Sequence, residues 1–197
     1  MSKIISILLV TLWLTVGAAW AGDVEDANAA LDRKDYPTAL TKFKRAAEKN
    51  DSNAQLNLGN MYYHGQGLAQ DYAEAVRWYK LAAAQGHASA QTTLGYMFRH
   101  GQGVVQDHAE TVHWYKLAAA QEDATAQSNL GLMYGEGKGV VQDNMRAHMW
   151  FNLAAVTGHA NAVKNRDIVA KRMTSQQIIE AQKLARDCQA RNYKNCD

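Results

Sequence analysis

The sequence predicts an all-α chain, a right-handed α-solenoid of stacked antiparallel helix pairs. Three observations predict it. The stretch "GQGLAQDYAEAVRWYKLAAAQG", Gly65 to Gly86, returns 36 residues later as "GQGVVQDHAETVHWYKLAAAQE", Gly101 to Glu122. A single proline and many alanines favour helix over strand. Apolar residues recur at helical spacing inside each copy. One helix pair cannot bury its own apolar face, so the unit is copied and stacked.

The first element is a segment expected to be removed. Residues 1–21 carry one early positive charge, Lys3, then an apolar run from Ile4 to Val16. The run ends at Ala19-Trp20-Ala21, a small-x-small site, which is the layout of a secretory signal peptide. The alternative is an uncleaved anchor helix, but the run is short for a stable span. No cysteine stands at the cut to carry a lipid, and no other stretch is long and apolar enough to span a membrane. Export to the periplasm or the medium is therefore expected. Loss of Lys3 takes the formal charge of the chain from +2 to +1. No basic block appears, which argues against nucleic acid as a partner.

Residues 22–50 read as a helix hairpin. Its first helix covers about Val24 to Arg33. Its second carries Asp35, Tyr36, Ala39, Phe43, Ala46 and Ala47, each 36 residues before Asp71, Tyr72, Ala75, Tyr79, Ala82 and Ala83.

Residues 51–160 hold three full copies, at about 51–86, 87–122 and 123–158. Ala54, Ala90 and Ala126 align, as do Leu58, Leu94 and Leu130, then Gly59, Gly95 and Gly131. So do Asp71, Asp107 and Asp143, and Trp78, Trp114 and Trp150. The first helix of each copy is expected to begin after Asn53, Ser89 or Thr125, with Asn161 opening the next. Ala54, Leu58 and Tyr62 then share its core side. Gly59 is expected to let the partner helix approach closely, at a cost of about 1 kcal/mol in helix propensity. Gly-x-Gly ends the first helix, because glycine takes positive φ cheaply. The second helix starts at Asp71, Asp107 or Asp143, with capping boxes to Glu74 and Glu110 that Arg146 breaks in the third copy. Ala75, Trp78, Tyr79, Ala82 and Ala83 form its buried stripe. Gly86 and Gly158 supply left-handed stops, and Glu122 holds that place in the middle copy.

Residues 161–197 read as C-terminal capping helices and a tail. Arg166 and Asp167 stand where Leu and Gly are due, so the repeat decays. Thr174-x-x-Gln177 caps a last helix through about Cys188, with Ile178, Ala181, Leu184 and Ala185 apolar. Atypical end units protect a stacked array. The two cysteines, Cys188 and Cys196, are expected to form a disulfide in an exported chain. Eight helical residues would separate them by roughly 12 Å, so the tail must fold back. Free thiols or a metal pair are the alternatives.

The 36-residue pattern Ala…Leu-Gly-x-x-Tyr-x-x-Gly-x-Gly-Val…Asp…Ala-x-x-Trp-Tyr…Ala-Ala resembles the Sel1-like repeat family. The hairpin at 22–50 is similar to the related tetratricopeptide repeat. The resemblance implies a scaffold or adaptor, of the exported bacterial type. Some disulfide-rich relatives are linked to β-lactam binding or hydrolysis, but the repeated cysteine pairs of those relatives are missing here.

No catalytic constellation stands out. Gly135-x-Gly137-x-Gly139 aligns with a repeat turn rather than a phosphate loop, since no strand precedes it. His64 and His100 are equivalent positions with Glu136 third, a set that could bind zinc. Neighbouring helices about 10 Å apart make solvated side chains the preferred reading. No metal and no cofactor are therefore expected, and the protein is read as no enzyme.

Copied positions report packing, so uncopied positions are free to report a ligand. The face of the first helices away from Leu58 carries Asn57, Asn60, Tyr63 and His64, then Thr93, Tyr96, Arg99 and His100, then Asn129, Leu132 and Glu136. First helices commonly line the concave side of such solenoids, where partners bind. Tyrosine and arginine are frequent interface anchors, and amides can clamp a peptide backbone. The expected function is an exported, monomeric, non-enzymatic module that holds a protein or peptide in this groove. The alternatives are a cell-envelope enzyme or ligand binder of the β-lactam or peptidoglycan type, by analogy with the cysteine-rich relatives, and a purely structural spacer.

Overall fold

The structure, a computed structural model, describes residues 22–196. The expected signal peptide at 1–21 lies outside the described residues. Among the described residues there is no strand. The chain divides into two compact units, one ending at Gln85 and one beginning at Gly86.

The first unit holds α1 (22–32), α2 (Tyr36–Glu48), α3 (Ser52–His64) and α4 (Tyr72–Ala84). Phe43, Leu58, Met61 and Trp78 share its core with Ala27, Ala30 and Ala39. Asp23 and Asp26 tie α1 to α2 through Arg45 and Lys42. The Arg45 guanidinium holds the Asp23 carboxyl below the ordinary aspartate range.

The second unit holds α5 (Ala88–His100), α6 (His108–Ala119), α7 (Ala124–Glu136), α8 (Asn144–Val156), α9 (Ala160–Ala170) and α10 (Ser175–Ala190). Tyr115, Leu130, Met133, Trp150, Phe151 and Leu153 share its core. From α5 to α9 each helix packs on the next, and α10 turns back onto α8.

The caps explain the element boundaries. Asp71, Asp107 and Asp143 open the second helices as expected. Their carboxylates accept from the backbone N–H groups of Glu74, Glu110 and Arg146 at 2.9–3.0 Å. The expected box at Glu74 does not close, because its carboxylate bonds Arg77 at 3.1 Å instead. The first helices start two residues earlier than expected. Their caps are Asp51, His87, Asp123 and His159, not Asn53, Ser89, Thr125 and Asn161. The Asp51 and Asp123 carboxylates accept from Ala54 and Ala126 N–H at 2.8 and 2.7 Å. A carboxylate also complements the positive end of the helix dipole, which an amide or hydroxyl does less well.

Gly65, Gly101 and Gly137 end the first helices in the left-handed conformation. A copied glutamine then ties each loop back. Gln70, Gln106 and Gln142 donate to the carbonyls of Tyr63, Arg99 and Gly135 at 2.6–2.8 Å.

The copied glycines within the first helices mark close approach. A Cβ on Gly59, Gly95 or Gly131 would lie 2.7, 2.5 or 2.8 Å from the ring of Tyr79, Tyr115 or Phe151. Tyr62, expected on the core side with Leu58, does pack against that core and is half-buried. Met61 takes the fully buried place, and so does Gln55. Gln55, Gln91 and Gln127 are copied and buried. Gln55 and Gln127 donate to the carbonyls of Ala47 and Ala119 at 3.3 Å, satisfying the end of the preceding helix. Gln55 and Gln91 each accept from a second glutamine, Gln85 and Gln121, at 2.8 Å. These side chains make buried polar pairs that an apolar-period reading passes over.

The C-terminus closes the core. Thr174 and Gln177 form a complete capping box on α10. Of the apolar positions on α10, Ala181 and Ala185 face inward with Cys188, whereas Leu184 is exposed. Cys188 and Cys196 are bridged, with Cα atoms 5.1 Å apart. Positive φ at Asn192, Tyr193 and Asn195 makes the fold-back that the bridge needs. Where α10 covers α8, Leu153 is 2 % exposed, while its equivalents Leu81 and Leu117 keep 42 % and 40 %.

Candidate functional site

The expected binding residues fall on the first helices of two separate units. In the first unit, α3 carries Asn57, Asn60, Tyr63 and His64. Asn57 donates to the Asn28 side chain at 3.4 Å, linking α3 to α1. The Tyr63 ring lies 4.9 Å from His64 and 5.2 Å from Tyr72. Asn60 is committed inward, since its Oδ1 accepts from the Tyr79 hydroxyl at 2.7 Å.

In the second unit, α5 carries Thr93, Tyr96, Arg99 and His100, and α7 carries Asn129, Leu132 and Glu136. Thr93 turns back to the Ser89 carbonyl at 2.8 Å, so its hydroxyl serves its own helix. Tyr96 is exposed and packs on His100, ring centroids 4.3 Å apart. Partial burial first, and the Arg99 charge second, hold the His100 imidazole below its ordinary range. Arg99 reaches across to Glu136 at 3.4 Å, and Lys138 meets the same carboxylate at 3.0 Å. The histidine–carboxylate reading of this face loses its Glu136, which is spent on two cations. Among the described residues no three of His, Cys, Asp and Glu gather as metal ligands.

One uncopied position controls what lies beneath this face. Position 60 is Asn, Tyr96 or Leu132 in the three copies, and its partner below is Tyr79, Tyr115 or Phe151. The Asn60–Tyr79 pair is hydrogen-bonded. In the middle copy the Tyr115 hydroxyl is buried with no hydrogen-bond partner among the described residues. The third copy resolves the mismatch with two apolar residues, Leu132 over Phe151.

The sequence reading missed a cleft on α7. It is walled by α8 and α9 and lined by Leu132, Phe151, Ile168 and Val169. Asn165 and Arg172 stand at its rim. A polar trough continues it past Asn129, Asn161 and Lys164. The signal was present as a departure from the copy: Gly135 stands where Tyr63 and Arg99 carry side chains.

The tryptophans belong mainly to the core. Trp78 and Trp150 are buried. Trp114, expected to match them, is half-buried, with its ring against His113. Within its unit α6 packs mainly on α5 and α7, whereas α8 is covered by α7, α9 and α10. Among the described residues no helix is long and apolar enough to cross a membrane.

These features agree with the comparisons. The Sel1 repeat model matches residues 52–87, 88–123 and 124–155. No curated protein matches the chain. Among solved structures, the chain is similar to c5321, a protective antigen present in uropathogenic Escherichia coli strains that displays an SLR fold. That likeness has 31 % identity and a TM-score of 0.74 over 81 % of this chain. The chain spans only 34 % of that protein. It is also similar to a Sel1 repeat protein from Oxalobacter formigenes, with 38 % identity and a TM-score of 0.60. Here 65 % of this chain and 96 % of the other are covered. The fold is the α-solenoid of these structures, and three tandem copies with their glycine–aromatic contacts place the chain in the Sel1 repeat family.

Proposed function

We propose that this protein is an exported, non-enzymatic scaffold that binds a protein or peptide on its first-helix face. The single observation that carries this reading is the division of labour between positions. Copied residues are consumed by packing, while Tyr63, Tyr96, Arg99, Asn129 and Leu132 differ between copies and stay at least partly accessible. They offer aromatic, cationic and amide groups, the chemistry of protein interfaces. Export is supported by the signal-like residues 1–21, by the Cys188–Cys196 bridge, and by the likeness to a protective antigen.

The test is capture of a partner from the native cell envelope by chemical crosslinking. Replacing Tyr96, Arg99 and Asn129 together by alanine is expected to abolish capture while the chain keeps its helicity and cooperative unfolding, with a modest fall in melting temperature from loss of the Arg99–Glu136 pair and the Tyr96–His100 contact. Asn60 is left intact in this variant, because its loss would orphan the Tyr79 hydroxyl. Undiminished capture by the triple variant removes the first-helix face from consideration. Covalent labelling by a fluorescent β-lactam would overturn the non-enzymatic reading.

A further inference from the structure

We infer that the cleft beside Gly135 is a socket for one large apolar side chain of a peptide that carries carboxylates on either side of it. This inference deepens the scaffold reading and rests on it.

The socket is made by what the third copy leaves out. In the middle copy the Arg99 side chain occupies the equivalent place and meets Glu136 at 3.4 Å. In the third copy Gly135 has no side chain, and a Cβ there would meet only Ala147 at 3.6 Å. The space that opens is a hollow of about 170 Å³ between α7, α8 and α9. A cavity of about 150 Å³ suffices for benzene, so a phenylalanine ring or a leucine side chain fits. The floor is apolar: Leu132, Phe151, Ile168 and Val169. Ile168 is 43 % exposed, so part of its side chain is open to a ligand in the hollow.

The rim selects the flanks. Glu136 is the one carboxylate on the socket's lining, and Arg99 and Lys138 already pair with it. Neither Arg172 at the socket nor Lys164 in the adjoining trough makes an ion pair with a carboxylate among the described residues, Glu136 being held by Arg99 and Lys138. The cleft and its trough therefore present two cations without ion-pair partners beside an apolar hole. Asn129, Asn161 and Asn165 line the trough with amides suited to an extended backbone. An acidic segment meets complementary charge here, and a basic one meets repulsion. The middle copy differs on both counts, because it carries the Arg99 side chain at this position and that cation is paired with Glu136.

The experiment uses fluorescein-labelled nine-residue peptides with one Phe between two pairs of Glu. Matched peptides replace Phe by Ala, or each Glu by Lys. Fluorescence anisotropy with the purified chain at low ionic strength reads the affinities. The Glu–Phe peptide is expected to bind at least about tenfold tighter than either control, a preference that Gly135→Arg abolishes by filling the hole. Ile168→Ser, at a partly exposed position, should weaken the Phe preference without touching α7. Lys164→Gln combined with Arg172→Gln should remove the Glu preference and most of the salt dependence. Equal binding of the Lys peptide, indifference to Gly135→Arg in a variant of normal helicity, or absence of binding at millimolar peptide each overturns the socket. A concentration-dependent dimer that Gly135→Arg dissociates also overturns it, by making a second copy the occupant. If the peptide fails while the crosslinking of the native partner still depends on Tyr96, Arg99 and Asn129, the socket falls and the scaffold reading stands.

Discussion

Replacing Gly95 by alanine should destabilise this protein, although alanine is the better helix former. Gly95 lies in the interior of α5, where the propensity term alone favours alanine by about 1 kcal/mol. The new Cβ would sit 2.5 Å from Tyr115 Cε1 and 2.6 Å from Cδ1. Carbon atoms pack at about 3.5–4.0 Å, so the ring must retreat by about 1 Å. Tyr115 is fully buried, and its ring is held in the core of its unit. Overpacking of this kind costs about 1–3 kcal/mol, which outweighs the propensity gain. The net loss of about 1 kcal/mol, the middle of that range less the propensity gain, corresponds to a fall in Tm of about 2–4 °C for a chain of this size. Gly135→Ala supplies the opposite sign. Its Cβ meets Ala147 at an ordinary 3.6 Å, so the propensity gain survives and Tm rises. Thermal unfolding followed by circular dichroism compares the two. If Gly95→Ala stabilises as much as Gly135→Ala, the copied glycine does not mark a close approach.

Three further outcomes follow from the packing. Tyr79→Phe removes the hydroxyl that bonds Asn60 and should cost about 1 kcal/mol, while Tyr115→Phe removes an unpartnered buried hydroxyl and should be neutral or stabilising, as Phe151 is in the third copy; urea denaturation of both variants reads the difference. Opening the bridge with Cys188→Ala and Cys196→Ala should cost about 2.5 kcal/mol on the chain-entropy model, with faster amide exchange in α10 than elsewhere. His148 is buried, and burial chiefly, with Arg166 next and Asp167 opposing, holds its imidazole below the ordinary 6.5. The unfolded chain therefore takes up that proton first as pH falls, so this contribution to stability is complete above about 6.5 and is lost below it. His148→Gln should flatten the decline in Tm between pH 7 and 5, and an unchanged slope assigns the decline elsewhere.

The sequence made the helix pairs legible because stacking demands the same small and large residues at every step. Ala54, Leu58, Gly59 and Asp71 recur at fixed spacing: the first two are buried in the core, Gly59 lies against the Tyr79 ring, and Asp71 caps α4. The first-helix starts were misplaced by two residues because Asn53, Ser89, Thr125 and Asn161 look like caps. Asp51 and Asp123, two places earlier, hold the stronger acceptor. The buried glutamines were invisible to an apolar-period reading, although their copying at 55, 91 and 127 was in plain view. Trp114 and Leu184 depended on which third helix covers them, and that is not written in any local pattern. The binding face was legible only as the complement of the copied set. Its strongest feature, the cleft at Gly135, arises from an absent side chain, which no inventory of reactive residues reveals.

The most direct test of the central claim is site-specific photo-crosslinking in the native envelope. A benzophenone side chain is placed at Tyr96 or Asn129 on the first helices, or at Glu110 or Lys183 on exposed positions of α6 and α10. The account predicts a discrete adduct from the first pair and none from the second. Adducts from Glu110 or Lys183 alone, with Tyr96 and Asn129 silent, would contradict it.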